Sequence, residues 1–111
     1  MKFYQEKVSE GLIQCELYRQ CLNNGIFAYP EYKCRINGKR CRFDLAILNG
    51  DNVVMIIECK STNRYGKTLI DTKQFHKYRL SGLPIVYCTN LDMINPIVRK
   101  IKRFLSSKQR K

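Results

Sequence analysis

Apolar residues recur at three- and four-residue steps from about Tyr4 to Asn24, through Val8, Leu12, Ile13, Cys15, Tyr18, Cys21 and Leu22. That period is the mark of an amphipathic helix. Asn23-Asn24-Gly25 offers the residue types that accept a left-handed terminal position, so the helix is expected to stop there. The pattern then becomes that of strands. Tyr32 to Ile36 and Arg40 to Leu48 flank Asn37-Gly38, a strong two-residue hairpin signal, and Val53 to Lys60 follows a turn over Asn49-Gly50-Asp51-Asn52. A polar connection over Asn63 to Gly66 leads into Leu69 to Leu80, which returns to helical spacing and ends before Ser81-Gly82. Leu83 to Cys88 reads as a short buried strand, with Pro84 at its entrance, that joins the sheet through a crossover. Finally Ile94, Ile97, Val98, Ile101, Phe104 and Leu105 share one face of a helix whose other face carries Arg99, Lys100, Lys102 and Arg103; residues 106–111 read as a basic flexible tail. The predicted order is αβββαβα: an α/β fold with a mixed four-stranded sheet flanked by helices, in a single domain over residues 1–111.

Composition narrows the partners. A chain of 111 residues buries roughly 65% of its unfolded surface and needs no disulfide staples. Its 21 Lys and Arg against nine Asp and Glu give a formal charge of +12, which attracts polyanions, nucleic acid first among them. No apolar stretch of about 18 residues is present, so membrane binding is not expected. The charged N-terminus lacks the form of a signal peptide, which points to the cytoplasm. The six cysteines, Cys15, Cys21, Cys34, Cys41, Cys59 and Cys88, fall at apolar-periodic positions and suit reduced core thiols. Cys34, Cys41 and the single His76 lack the paired short spacings of a zinc site.

Charges interrupt the two middle strands where the pattern predicts burial. Asp44 breaks the run from Phe43 to Leu48, and Glu58 and Lys60 break the end of the run from Val53. Buried charge is costly unless it is paired or bound to metal. Glu58 and Lys60, two apart on a strand, share a face. If the hairpin closes with Asn49 opposite Val53, Asp44 lies opposite Glu58, and a register shift of one residue dismantles the arrangement. Two carboxylates side by side call for a cation between them, and an all-oxygen donor set, with the Cys59 backbone carbonyl as a third oxygen, suits magnesium or manganese. Phosphodiester hydrolysis uses such a set: carboxylates to hold the cation and a charged group to orient water. The bland account of the same residues is a structural ion-pair cluster at a strand end.

At these residues the sequence resembles the PD-(D/E)xK nuclease superfamily, in its resolvase-like, replication-repair nuclease-like or RecB-like branches. Its motif is matched by Phe43-Asp44, a hairpin, and Glu58-Cys59-Lys60, with Phe43 in place of the proline that names it. The resemblance spans about Glu10 to Thr89. It implies a restriction-endonuclease-like αβββαβα core, metal binding by Asp44 and Glu58, and a Lys60 that positions the attacking water. Ser9-Glu10-Gly11-Leu12-Ile13-Gln14 resembles the family's Glu-x-x-x-Gln arrangement on the first helix, which implies Glu10 as a further acid, with Glu6 and Glu16 on the same predicted helix as alternatives. Gln74-Phe75-His76-Lys77-Tyr78 resembles its Gln-x-x-x-Tyr element, which implies contacts of Gln74 and Tyr78 with the scissile phosphate or the lysine.

The other cations, among them Arg35, Lys39, Arg40, Arg42, Arg64, Lys67, Lys73 and Arg99, are expected to meet phosphates rather than bases, and His76 is read as a surface residue. The leading expectation is a magnesium-dependent nuclease acting on DNA, branched or structured DNA included, with a homodimer as one possible state. Two other classes compete: a nucleic-acid-binding module without catalysis, and a nuclease subunit of a larger restriction or repair assembly.

Overall fold

The computed structural model describes residues 9–36, 38–60 and 82–109. Helix α1 spans Glu10–Asn23 and α2 spans Ile94–Gln109, entered through a 3-10 turn at Leu91–Met93. Strands β1 (Ala28–Ile36), β2 (Lys39–Asn49), β3 (Asn52–Cys59) and β4 (Ile85–Cys88) form one sheet in the order β1-β2-β3-β4. The first three are antiparallel neighbours and β4 lies parallel to β3, so the sheet is mixed, as the strand pattern predicts. The helix expected over Leu69 to Leu80 falls outside the described residues, as do Asn37, Arg64, Lys67, Lys73, Gln74, His76 and Tyr78. Among the described residues no helix is long and apolar enough to cross a membrane.

Helix α1 is shorter than its period suggests. Ser9 has extended backbone (φ −67°, ψ 153°) and its Oγ accepts from the Leu12 N–H at 3.1 Å. A serine in that state is an N-cap, so the helix begins at Glu10 and not near Tyr4. Its buried stripe is Ile13, Leu17 and Cys21, while Leu12, Cys15 and Leu22 are exposed. These side chains pack with Leu45, Ile47, Met55, Ile57 and Cys59 of the sheet and with Ile94, Ile97, Val98 and Ile101 of α2. The α2 face therefore packs as expected, and the helix runs on to Gln109, so residues 106–109 belong to it instead of a tail. On the other side of the sheet Cys41, Phe43 and Ile56 form a smaller cluster with Tyr32, Cys34, Ile36 and Ile85.

Strand β1 starts at Ala28, four residues ahead of the expected Tyr32, and includes Pro30. Proline removes a ladder donor, but β1 is an edge strand, where that donor is dispensable.

Two irregularities place the site. Gly50, at φ 64°, allows a two-residue turn that sets Asn49 opposite Asn52 and Leu48 opposite Val53. Continued unchanged, that register would set Asp44 opposite Ile57. A bulge on β3 at Val54 shifts it, so that Ile47 meets Met55, Ala46 meets Ile56 and Leu45 meets Ile57. The expected turn, Asn49 opposite Val53, is thus replaced by a tighter turn and a bulge that together lead to the same pairing near Asp44.

The second irregularity is a change of face. Phe43 packs in the smaller cluster and Leu45 in the helix-side core, although residues two apart on a strand normally share a face. Across the ladder, Ala28 belongs to the helix side and Tyr32 to the other. Both strands change between these positions, at Glu31 and Asp44, and Glu31 is the described non-glycine residue with positive φ, 53°.

Candidate active site

Backbone pairing between β2 and β3 runs from the turn to Leu45 and Ile57. Beyond it β2 continues against β1 and β3 against β4. Asp44 and Glu58 stand at this fork and join it with their side chains. The Asp44 N–H donates to Glu58 Oε1 at 3.0 Å, and the Cys59 N–H donates to Asp44 Oδ2 at 2.7 Å. Each carboxylate thereby accepts from the opposite strand's backbone, and the two acids are brought together as the register argument requires.

Glu58 is 2% exposed, and among the described residues it is the buried charged side chain. Burial pushes its carboxyl up to about 7, the Asp44 charge pushes in the same sense, and the Asp44 N–H, Lys60 and Arg42 oppose. Asp44, half-buried, is raised chiefly by burial; the Cys59 N–H and Lys60 lower it, while Glu31 and Glu10 raise it. Lys60 is half-buried and its backbone N–H donates to the Cys88 carbonyl at 3.0 Å, which ties it to β4 while its charge acts on both acids.

Helix α1 separates the first-helix candidates. Glu10 lies in its first turn and its charge is felt at Asp44. Glu16 is engaged with Arg19 and Gln20 instead, and Glu6 lies outside the described residues. Gln14, one turn beyond Glu10, donates from Nε2 to Glu31 Oε1 at 3.1 Å.

Glu31 and Tyr87 carry no mark in the sequence pattern yet belong to this neighbourhood. Glu31 sits between Pro30, which pairs with Leu45, and Tyr32, which pairs with Phe43; it therefore stands across from Asp44. It also accepts Arg42 Nε at 3.1 Å. Its left-handed backbone is a strained state for a residue with a Cβ, of the kind that gathers at functional sites. Tyr87 is the β4 partner of Glu58, and its hydroxyl is raised by burial and by the Glu58 charge. A one-residue register and an edge-strand extension across a proline decide both placements, and neither is visible in periodicity.

The donor set fits a small hard cation. Two carboxylates meet at the fork, and the Cys59 carbonyl leaves the strand on the same edge as its N–H, which faces Asp44. Among the described residues no three His, Cys, Asp or Glu side chains converge to hold a metal ion by themselves. Magnesium asks for less, one or two carboxylates with water completing its shell. The cysteines are free thiols: Cys21, Cys41, Cys59 and Cys88 are buried, Cys34 half-buried and Cys15 exposed, and burial drives the Cys59 thiol well up. No family model, curated protein or solved structure matches the chain, so its chemistry is read from this site.

Proposed function

We propose that the chain is a metal-dependent nuclease of restriction-endonuclease-like fold, hydrolysing phosphodiester bonds of DNA at Asp44, Glu58 and Lys60. The observation that carries this reading is the reciprocal pair of bonds that brings a buried glutamate and an aspartate together within the field of a lysine. Asp44 and Glu58 would hold the cation, with the Cys59 carbonyl available as a third oxygen. A magnesium or manganese ion held there would supply the positive charge that polarises a phosphate. Lys60 orients the attacking water and steadies the negative charge that grows on the phosphate oxygens. Water adds to phosphorus and sheds a proton to solvent, the bridging P–O bond breaks, and the departing oxygen takes up a proton from solvent. Glu10 extends the negative field at Asp44. Gln74 and Tyr78, which lie outside the described residues, are proposed on the resemblance alone as contacts to the scissile phosphate or to Lys60.

One observation favours the alternative of a nucleic-acid-binding module without cleavage: each carboxylate already accepts a backbone N–H, so the cluster coheres without a metal. Labelled duplex, single-stranded and four-way DNA, incubated with manganese or with EDTA, separates the two. The nuclease reading predicts metal-dependent cutting of at least one substrate, four-way DNA being the structured case. Salt-sensitive binding with no cutting of any substrate would establish the module instead.

A further inference from the structure

The β1–β2 hairpin sets cations against cations across its two strands. Lys33 stands directly across from Arg42, and Arg35 directly across from Arg40. Like charges in directly opposed positions destabilise a strand pair. All four residues are exposed, and an open concavity of about 550 Å³ lies along this stretch of the two strands. Tyr32, Cys34, Ile36, Cys41 and Phe43 turn toward the smaller apolar cluster, so alternation sends the four cations to the opposite face of the ribbon. One end of this array already reaches the fork: Arg42 pairs at 3.1 Å with Glu31, the residue that stands across from Asp44.

Arg40 and Arg42 are two residues apart on β2, a repeat of about 6.8 Å. The strand then runs directly to Asp44, where the change of face turns the carboxylate toward β3. A row of positive charge thus ends at the two acids. Such a row suits the regularly spaced phosphates of a polynucleotide strand; guanidinium forks give bidentate contacts to phosphate oxygens, and none of this reads bases.

We propose that the Lys33–Arg35–Arg40–Arg42 face of the β1–β2 hairpin grips the sugar–phosphate backbone of the DNA strand that enters the Asp44–Glu58 fork. The direction of entry rests on the nuclease reading of the fork, whereas the grip itself does not.

The test is the affinity of the full chain for a labelled duplex in EDTA across a potassium chloride series, together with thermal unfolding. The double variant Lys33→Glu/Arg35→Glu converts both like-charge pairs into opposite-charge pairs. It is expected to weaken DNA binding at least tenfold and to flatten the salt dependence, while its melting temperature stays the same or rises. A matched charge change on α2, Arg99→Glu/Lys100→Glu, is expected to weaken binding less. Wild-type affinity in the hairpin variant, or a loss no larger than that of the α2 control, would overturn the grip. Loss of binding to anionic phosphatidylserine vesicles, with DNA binding intact, would also overturn it and assign the face to a membrane. If the hairpin variant loses DNA as expected and the wild type still fails to cut DNA with manganese, the grip stands and the nuclease reading fails. Wild-type cutting and binding by the hairpin variant has the converse meaning.

Discussion

Glu58 is a carboxyl group held where its charge is least favoured: 2% exposed, beside a second acid, and raised from 4.5 to about 7. Between those values the metal-free folded chain keeps a proton that the unfolded chain releases. The contribution is therefore full below about 4.5 and is lost as pH rises through about 7, with a ceiling of roughly 3 kcal/mol. Thermal unfolding in EDTA should show stability falling across that window, and Glu58→Gln should flatten the profile and be the more stable protein at pH 8. Superimposable profiles would mean that Glu58 is not raised. A divalent cation favours the ionised acid, so manganese affinity measured by calorimetry should rise with pH over the same range, and the wild type, unlike Glu58→Gln, should regain stability when metal is added. Glu31 separates strain from function in a different way. Glycine at its φ of 53° relieves a strained backbone, worth about 1–2 kcal/mol, but removes the partner of Gln14 and Arg42. Glu31→Gly is expected to melt within a few degrees of wild type and to cut DNA more slowly; a large loss of stability would show that the ion pair outweighs the strain. At this scale the sequence exposed Asp44, Glu58 and Lys60, because charges inside apolar runs stand out. Glu31 and Tyr87 stayed hidden because only strand partners place them.

At the scale of elements, register was the decisive quantity. The expected opposition of Asp44 and Glu58 rested on a looser turn, and the chain reaches the same end through a tight turn at Gly50 followed by the Val54 bulge. Val53 and Val54 form an uninterrupted run, so nothing in the pattern distinguishes a bulged valine from a paired one. Deleting one of the two removes the bulge yet keeps Ile47 opposite Met55 and Asp44 opposite Glu58. That variant should lose about 1–2 kcal/mol from the missing apolar group and still cut DNA. Deleting both valines slides Asp44 to face Cys59 and should abolish cutting. Equal activity of the two deletion variants in a cleavage assay, with circular dichroism to verify folding, would refute the register account. The helix boundaries were partly legible: the apolar period identified α1 and α2, but the Ser9 cap overrode the period at one end and the helical reach to Gln109 exceeded it at the other. The early start of β1 was concealed by Pro30, which an edge strand accepts.

For the whole molecule, the charge of +12 was readable at once, but its distribution was not, since tandem cross-strand pairing of cations appears only when β1 and β2 are aligned. A protein with this balance should lose DNA affinity steeply with salt, by tenfold or more between about 50 and 200 mM, as fluorescence anisotropy can verify. Binding of that kind is common to every reading in which the chain meets nucleic acid, so it does not by itself establish catalysis. The measurement that does is single-turnover cleavage of labelled DNA with manganese by the wild type, Asp44→Asn and Lys60→Ala, purified side by side and matched for folding and DNA affinity. Cutting by the wild type is expected, with a fall of about 100-fold or more in both variants and no cutting in EDTA. Cleavage that persists unchanged in Lys60→Ala or Asp44→Asn would contradict catalysis at this site.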